Sequence, residues 1–230
     1  MSDNKERIIS VAVDGPVGAG KSTLCDALAR ELDILHLDTG AMYRAVALLV
    51  LRRGVDPQDR EAVEALVQGG EADVSVRYED GSQRTLLGGE DVTDGLRTEA
   101  VGAAASAVSR YPLVRKYLVA RQQELARAQS MVIDGRDIGT VVLPGAKAKI
   151  FLTASPQKRA LRRYTQLLSL GMNVDFQTVL AELLARDEQD QNREHDPLRA
   201  APGAVVLDTT DMSFEESVAA MLAVVREKYA

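Results

Sequence analysis

Five short apolar runs recur along the chain and set its organisation. None of them alternates between apolar and polar residues, which is typical of strands buried on both faces of a parallel sheet. Segments with helical periodicity separate the runs, as crossover connections require. The pattern predicts an α/β fold with a five-stranded parallel sheet flanked by helices. The predicted strands are Ile8–Val13, Ile34–Leu37, Met131–Ile133, Ala148–Leu152 and Ala204–Leu207.

Two stretches depart from this pattern. Residues 73–97 alternate between apolar and polar positions around the turn sequence EDGS, which predicts a small antiparallel β insert. Ser155-Pro156 begins a polar helix that runs to Leu170, and a second polar helix runs from near Asp175 to about Asn192. This helical pair is rich in Arg and Gln, and we expect it to be solvated and able to move.

Composition narrows the class of protein. The chain has 230 residues and a net charge of −6 with no basic tail, which argues against nucleic acid as the main partner. Cys25 is the single cysteine, so no intrachain disulfide is possible and a reducing compartment is favoured. The apolar run before Asp14 is too short for a signal-peptide core or a membrane span. We expect a cytoplasmic protein with no membrane partner and, since no exposed heptad pattern is present, a monomer.

A phosphate-binding motif follows the first predicted strand. Residues 15–22, GPVGAGKS, match G-x-x-x-x-G-K-[ST] between a strand and a helix, the context that the motif requires. Glycines let backbone N–H groups turn toward phosphate oxygens, while Lys21 reaches the β- and γ-phosphates of a nucleotide. The predicted ATP-binding residues are Gly15, Pro16, Val17, Gly18, Ala19, Gly20, Lys21, Ser22 and Thr23.

Two oxygen ligands suggest Mg²⁺. The hydroxyl of Ser22 ends the phosphate-binding motif, and Asp134 follows the third predicted strand in the position of a Walker-B aspartate. Asp134 is also consistent with an ordinary turn residue. No Cys or His cluster is present, so a transition-metal site is not expected.

Several arginines indicate a second phosphate site. Thr39, Tyr43 and Arg44 follow the second predicted strand, and Arg136 and Asp137 follow the third. Ligands of parallel sheets gather at this edge. A further group is spaced i, i+4, i+7, which predicts one shared helical face: Arg186, Asp190 and Arg193. A solvated, salt-bridged face would show the same spacing.

The missing guanine-reading motif N-K-x-D argues against a GTP switch, and the arginines favour a small kinase whose acceptor carries a phosphate. A kinase for UMP, AMP or shikimate and a nucleotide-binding regulatory module remain alternatives.

Four segments together resemble the bacterial cytidylate kinase family of P-loop nucleoside monophosphate kinases: DGPVGAGKST, LDTGAMYR, IDGRDIGTVV and RDEQDQNR. The resemblance covers nearly the whole chain, including the β insert. It implies phosphorylation of CMP and dCMP by MgATP. A phosphate acceptor is largely dianionic at neutral pH, so we expect in-line transfer by charge neutralisation and positioning, without a general base. The resemblance also implies a single P-loop kinase domain over residues 1–230, with a monophosphate-binding region at about 60–110 and a mobile lid at about 156–197.

The resemblance also implies residue roles. Lys21, Arg136 and Arg193 would be catalytic, and Arg162 in the lid would lie near ATP. The residues implied to bind CMP are Thr39, Tyr43, Arg44, Ser106, Arg115, Arg136, Asp137, Arg186, Asp190 and Arg193. Of these, Arg44, Arg136 and Arg193 would bind its phosphate, Arg186 and Asp190 its ribose, and Ser106, Arg115 and Asp137 its base.

Overall fold

The protein is an α/β structure, as predicted. A computed structural model describes residues 8–169 and 171–230. One sheet contains β1 (Ser10–Asp14), β2 (Leu35–Asp38), β6 (Met131–Gly135), β7 (Ala148–Thr153) and β8 (Val205–Asp208). Its strand order is β2-β6-β1-β7-β8, and β7 pairs in parallel with both β1 and β8.

Both polar helices that the sequence predicts between Ser155 and Asn192 are present as α6 (Pro156–Ser169) and α7 (Phe176–Asn192). The helices of the described chain are α1 (Lys21–Leu32), α2 (Thr39–Arg52), α3 (Arg60–Gln68), α4 (Glu99–Val108), α5 (Pro112–Ala128), α6 (Pro156–Ser169), α7 (Phe176–Asn192) and α8 (Phe214–Tyr229). A 3₁₀ turn spans Thr93–Arg97, and a π-helix spans Ile138–Val142. The predicted last residue of the first lid helix, Leu170, lies outside the described residues.

The chain divides into two compact units. The phosphate-loop unit comprises residues 10–34 and 132–230, and the insert unit comprises residues 35–131 with the described residues before Ser10. In the phosphate-loop unit, β1 is buried on both faces, as its unbroken apolar sequence predicts. The same prediction is wrong for β8, which is an edge strand where Val206 remains 60% exposed.

The insert unit contains the predicted antiparallel sheet. Its strands are β3 (Val74–Glu79), β4 (Ser82–Leu87) and β5 (Glu90–Asp91), each antiparallel to the next. Asp80 and Gly81 join β3 to β4 with φ angles of 49° and 75°. Two positive φ angles are the geometry of a type I′ turn, whose twist matches that of paired strands. The EDGS segment therefore forms the hairpin that its sequence predicts.

Candidate active site

The phosphate loop, residues 15–22, connects the end of β1 to the start of α1. Gly18 and Gly20 have φ angles of 74° and 85°, which residues with a Cβ rarely adopt. At Gly15, a Cβ would overlap the carbonyl oxygen of Leu152 on β7. Two of these glycines thus allow the chain to turn, and the third allows the loop to pack directly on the neighbouring strand.

Lys21 is buried and is bound to the backbone of the loop. Its Nζ donates to the carbonyl oxygens of Gly15, at 2.8 Å, and Pro16, at 2.9 Å. Burial, together with the positive charge of Arg136, lowers the pKa of this ammonium group to about 7. A phosphate placed beside it would favour the charged form, since an opposite charge at close range raises the pKa of a cation.

Two arginines of α6, one turn apart, bind carbonyl oxygens of the phosphate loop. Arg159 donates from Nη1 to the oxygen of Val17 at 2.8 Å, and Arg162 donates from Nη1 to that of Ala19 at 3.3 Å. Arg159 also donates from Nη2 to Oδ2 of Asp187 on α7 at 2.6 Å. Arg162 was predicted to lie near ATP, and it does contact the loop predicted to bind ATP. Sequence reasoning missed Arg159 and Asp187, and the one available signal was the spacing of the two arginines.

Ser22 and Asp134 meet, as the magnesium prediction requires. The hydroxyl of Ser22 donates to Oδ2 of Asp134 at 3.2 Å, and Asp134 is buried at the carboxyl end of β6. Mg²⁺ prefers oxygen ligands and is commonly held by one or two protein groups, several waters and substrate phosphates. The two residues fit that ion. Within the part of the chain that the structure describes, no group of three His, Cys, Asp or Glu side chains is placed to hold a metal.

A buried carboxylate organises two of the predicted arginines. Asp190 accepts from Nε of Arg136 at 2.9 Å and from Nε of Arg186 at 3.4 Å. Burial alone would raise the pKa of Asp190, but Arg136, Arg186 and Arg193 hold it below its usual value. Asp190 therefore stays ionised, and its charge fixes the guanidinium groups beside it. We name these two arginines, Arg193 and Asp190 the arginine cluster.

The prediction that Arg186, Asp190 and Arg193 share one helical face is wrong for Arg193. Helix α7 ends at Asn192, and Arg193 follows it in an extended conformation with φ −64° and ψ 141°. Its Nε donates to the carbonyl oxygen of Asp196, and its Nη2 lies 3.6 Å from Oδ1 of Asp137. Arg193 reaches the other predicted residues because the chain leaves the helix, and not because of a seven-residue spacing.

The remaining predicted residues belong to the insert unit. Thr39, Tyr43 and Arg44 lie in the first turns of α2, while Ser106 lies in α4 and the buried Arg115 in α5.

The start of α2 is fixed from the β insert. Asp38 caps the helix by accepting from the N–H of Ala41 at 3.1 Å. Gln83 of β4 accepts from the N–H of Asp38 at 2.8 Å and donates to its carbonyl oxygen at 3.2 Å. Gln83 was missed because nothing in the sequence relates β4 to this turn.

The chain matches one protein family over most of its length. The sequence model described as "Cytidylate kinase" matches residues 11–227. A protein named Cytidylate kinase from Mycobacterium avium is 49% identical over 221 residues, which are 96% of this chain and 96% of that protein. One of the same name from Caldicellulosiruptor bescii is 47% identical over 208 residues, 90% of this chain and 91% of that protein. No helix among the described residues is long and apolar enough to span a membrane. The chain belongs to the cytidylate kinase family.

Proposed function

We propose that this protein transfers the γ-phosphate of ATP, bound with Mg²⁺, to CMP or dCMP, giving CDP or dCDP and ADP. The observation that carries the proposal is the presence, within one compact unit, of the phosphate loop with Lys21 and of the arginine cluster. The loop accounts for a phosphate donor, and the cluster for an acceptor that itself carries a phosphate. The names of its relatives support CMP as that acceptor.

On the donor side, the loop binds phosphate through its backbone. Arg159 and Arg162 hold the carbonyl oxygens of Val17 and Ala19, so the N–H groups of the loop remain available for phosphate oxygens. The N-terminus of α1 adds a favourable dipole. Lys21 would exchange its backbone partners for the β- and γ-phosphates. Mg²⁺ held by Ser22 and Asp134 would neutralise charge on the same phosphates.

On the acceptor side, arginines align and neutralise the CMP phosphate. A phosphomonoester has its second pKa near about 6, so the acceptor is largely a dianion at neutral pH. Its oxygen needs no general base, and the protein has only to bring two anions together in line. We assign Arg136 and Arg193 to this phosphate, and Arg186 with Asp190 to the ribose.

In the insert unit, the residues that we assign to CMP are Thr39, Tyr43, Arg44, Ser106 and Arg115. These assignments rest on the family motifs.

Asp137 is proposed to read the base. An ionised carboxylate only accepts hydrogen bonds, and cytosine presents an N4 amino donor where uracil presents an O4 acceptor. Replacing Asp137 with Asn supplies a donor for uracil and is expected to narrow the kcat/KM ratio of CMP over UMP by about tenfold to a hundredfold. Steady-state kinetics with both acceptors measure this ratio. The exposed Asp94, changed to Asn, is the control. An unchanged ratio in Asp137→Asn would remove this residue from base reading.

The lid, at about 156–197, is proposed to close over ATP. Its two helices contact each other through Tyr164 and Phe176, whose ring centres lie 5.9 Å apart. Closure excludes water from the γ-phosphate and so suppresses hydrolysis. Hydrogen exchange in α6 and α7 is expected to slow when CMP and a non-hydrolysable ATP analogue bind together. Strand β1, already buried, is the internal reference. Equal exchange rates with and without nucleotides would refute closure.

The proposed function is tested by comparing acceptors. ADP release from MgATP is measured with CMP, dCMP, UMP, AMP and shikimate in parallel. Fast turnover with CMP and dCMP, and slower turnover with UMP, is expected. Activity confined to another acceptor would keep the phosphate loop as the ATP site and overturn the assignment of the acceptor.

A further inference from the structure

A buried aspartate at the end of β1 binds the backbone of the segment that carries Arg136 and Asp137. Oδ1 of Asp14 accepts from the N–H of Ile138 at 2.7 Å, and Oδ2 accepts from the N–H of Gly139 at 2.8 Å. Asp14 is 2% exposed. These contacts span more than 120 positions of the sequence, and both carboxylate oxygens take part in them.

The segment that Asp14 binds has an unusual backbone. Ile138 and Gly139 are the first residues of the π-helix, in which the N–H of Leu143 bonds to the carbonyl oxygen of Ile138 at 2.7 Å. The first N–H groups of any helix have no partner within the helix. π-Helices are rare and are frequently found at functional sites. The carboxylate of Asp14 supplies the hydrogen-bond acceptors that these first N–H groups lack within the π-helix.

The space around this contact leaves no room for adjustment. A Cβ at Gly139 would lie 2.8 Å from Cβ of Ala201 and 3.2 Å from Oδ2 of Asp14. The same Cβ would lie 3.4 Å from Cδ of Lys149. The ammonium of Lys149 donates to the carbonyl oxygen of Pro144. The carboxylate therefore contacts a backbone that is packed tightly on its other sides.

We propose that Asp14 is a positioning residue for the acceptor: by holding the N–H groups of Ile138 and Gly139, it fixes Arg136 and Asp137 relative to the phosphate loop, which begins one residue after it. The role of Arg136 and Asp137 in binding CMP rests on the proposed function. Asp14 itself touches neither nucleotide in this account. It acts through the backbone, so its loss should affect CMP more than ATP.

The hydrogen bonds require both oxygens of Asp14 to be unprotonated. Burial, assisted by the negative charge of Asp137, raises the pKa of Asp14 to about 6, although the two N–H groups and Lys21 act in the opposite direction. Above that pH the carboxylate accepts from both N–H groups. Below it, one oxygen carries a proton, so one of the two N–H groups faces a donor.

The test begins with the free enzyme, so that it does not depend on any activity. Amide NMR signals of Ile138 and Gly139 are followed from pH 5 to pH 8 in the wild type and in Asp14→Asn. Both signals are expected to titrate near pH 6 in the wild type and not in the variant. Signals that titrate identically in the two proteins would overturn the proposal, whether or not the protein phosphorylates CMP.

Kinetics provide the second readout. Asp14→Asn places an amide donor against an N–H donor and is expected to lower kcat/KM for CMP about tenfold, with the KM for ATP changed less than twofold. The ratio of kcat/KM for CMP to kcat/KM for UMP should also become smaller in this variant. Asp208→Asn is the matched control, because Asp208 ends β8 as Asp14 ends β1 and its carboxylate accepts from the backbone N–H and the hydroxyl of Thr210 instead. If the KM for ATP rose by as large a factor as kcat/KM for CMP fell, Asp14 would have a merely structural role and the proposal would be contradicted.

ATP binding distinguishes a variant that is unfolded from one that has only lost the positioning contact. If Asp14→Asn binds ATP with the wild-type Kd, the phosphate loop is intact and the kinetic comparison stands. If it does not, the wild-type pH dependence decides. The phosphate of CMP itself titrates near about pH 6, and the phosphate of UMP does the same. The ratio of CMP turnover to UMP turnover by the wild type cancels this shared titration, so this ratio is compared across pH. The ratio is expected to fall below pH 6, and a constant ratio would count against Asp14.

Discussion

Replacing Lys21 with Ala is expected to lower kcat for phosphoryl transfer by about 10³-fold, comparable to the loss of other charge-stabilising groups at transferring phosphates. The ammonium of Lys21 is buried beside the carbonyl oxygens of Gly15 and Pro16, at the base of the loop proposed to bind ATP. Initial rates of CDP formation from MgATP and CMP measure the loss.

The matched control for Lys21 is Lys116. Lys116 is an exposed lysine of α5, and Lys116→Ala removes a lysine side chain that is not part of the phosphate loop. Its kcat should remain within about twofold of the wild type, since exposed substitutions away from a site have small effects. If Lys21→Ala and Lys116→Ala had similar activities, Lys21 would not act on the transferred phosphate.

Replacing Arg159 with Met is expected to destabilise the protein by about 3–5 kcal/mol, the usual cost of leaving one partner of a buried ion pair alone. Arg159 and Asp187 are both buried, and Oδ1 of Asp187 has no hydrogen-bond partner among the described residues. Without Arg159, the carboxylate loses the contact at Oδ2 as well. For a chain of this size the melting temperature should fall by about 6–20 °C. Thermal unfolding followed by circular dichroism measures the change.

Two further variants identify the cause of that destabilisation. Arg163→Met changes an exposed arginine on the same helix, whose side chain donates to the exposed Gln166, and should leave the melting temperature nearly unchanged. The double variant Arg159→Met, Asp187→Leu removes both charges and should recover part of the loss. A double variant less stable than Arg159→Met would contradict the ion-pair account.

The sequence predicted the features that are determined locally. The type I′ turn at Asp80-Gly81 follows from the conformational freedom of these two residue types, and the phosphate loop from its glycines. In each case the neighbouring residues alone restrict the structure, so a short window of sequence is sufficient.

Features that depend on distant contacts were not predicted. Arg159 lies 142 positions from Val17, and Gln83 lies 45 positions from Asp38. Neither spacing produces a periodic signal. The spacing of charges predicts a helical position for Arg193 because that spacing continues past Asn192, where the helix ends. The exposure of Val206 depends on β8 being at the edge of the sheet, which the strand's own sequence does not specify.

In the proposed reaction the γ-phosphate of ATP moves to the phosphate of CMP. The most direct test uses ATP radiolabelled at the γ-phosphate, with Mg²⁺ and CMP, and separates the labelled products. Label is expected in the β-phosphate of CDP, and it should appear there about 10³-fold more slowly with Lys21→Ala. Label recovered only as inorganic phosphate, with no labelled CDP, would contradict the proposed reaction.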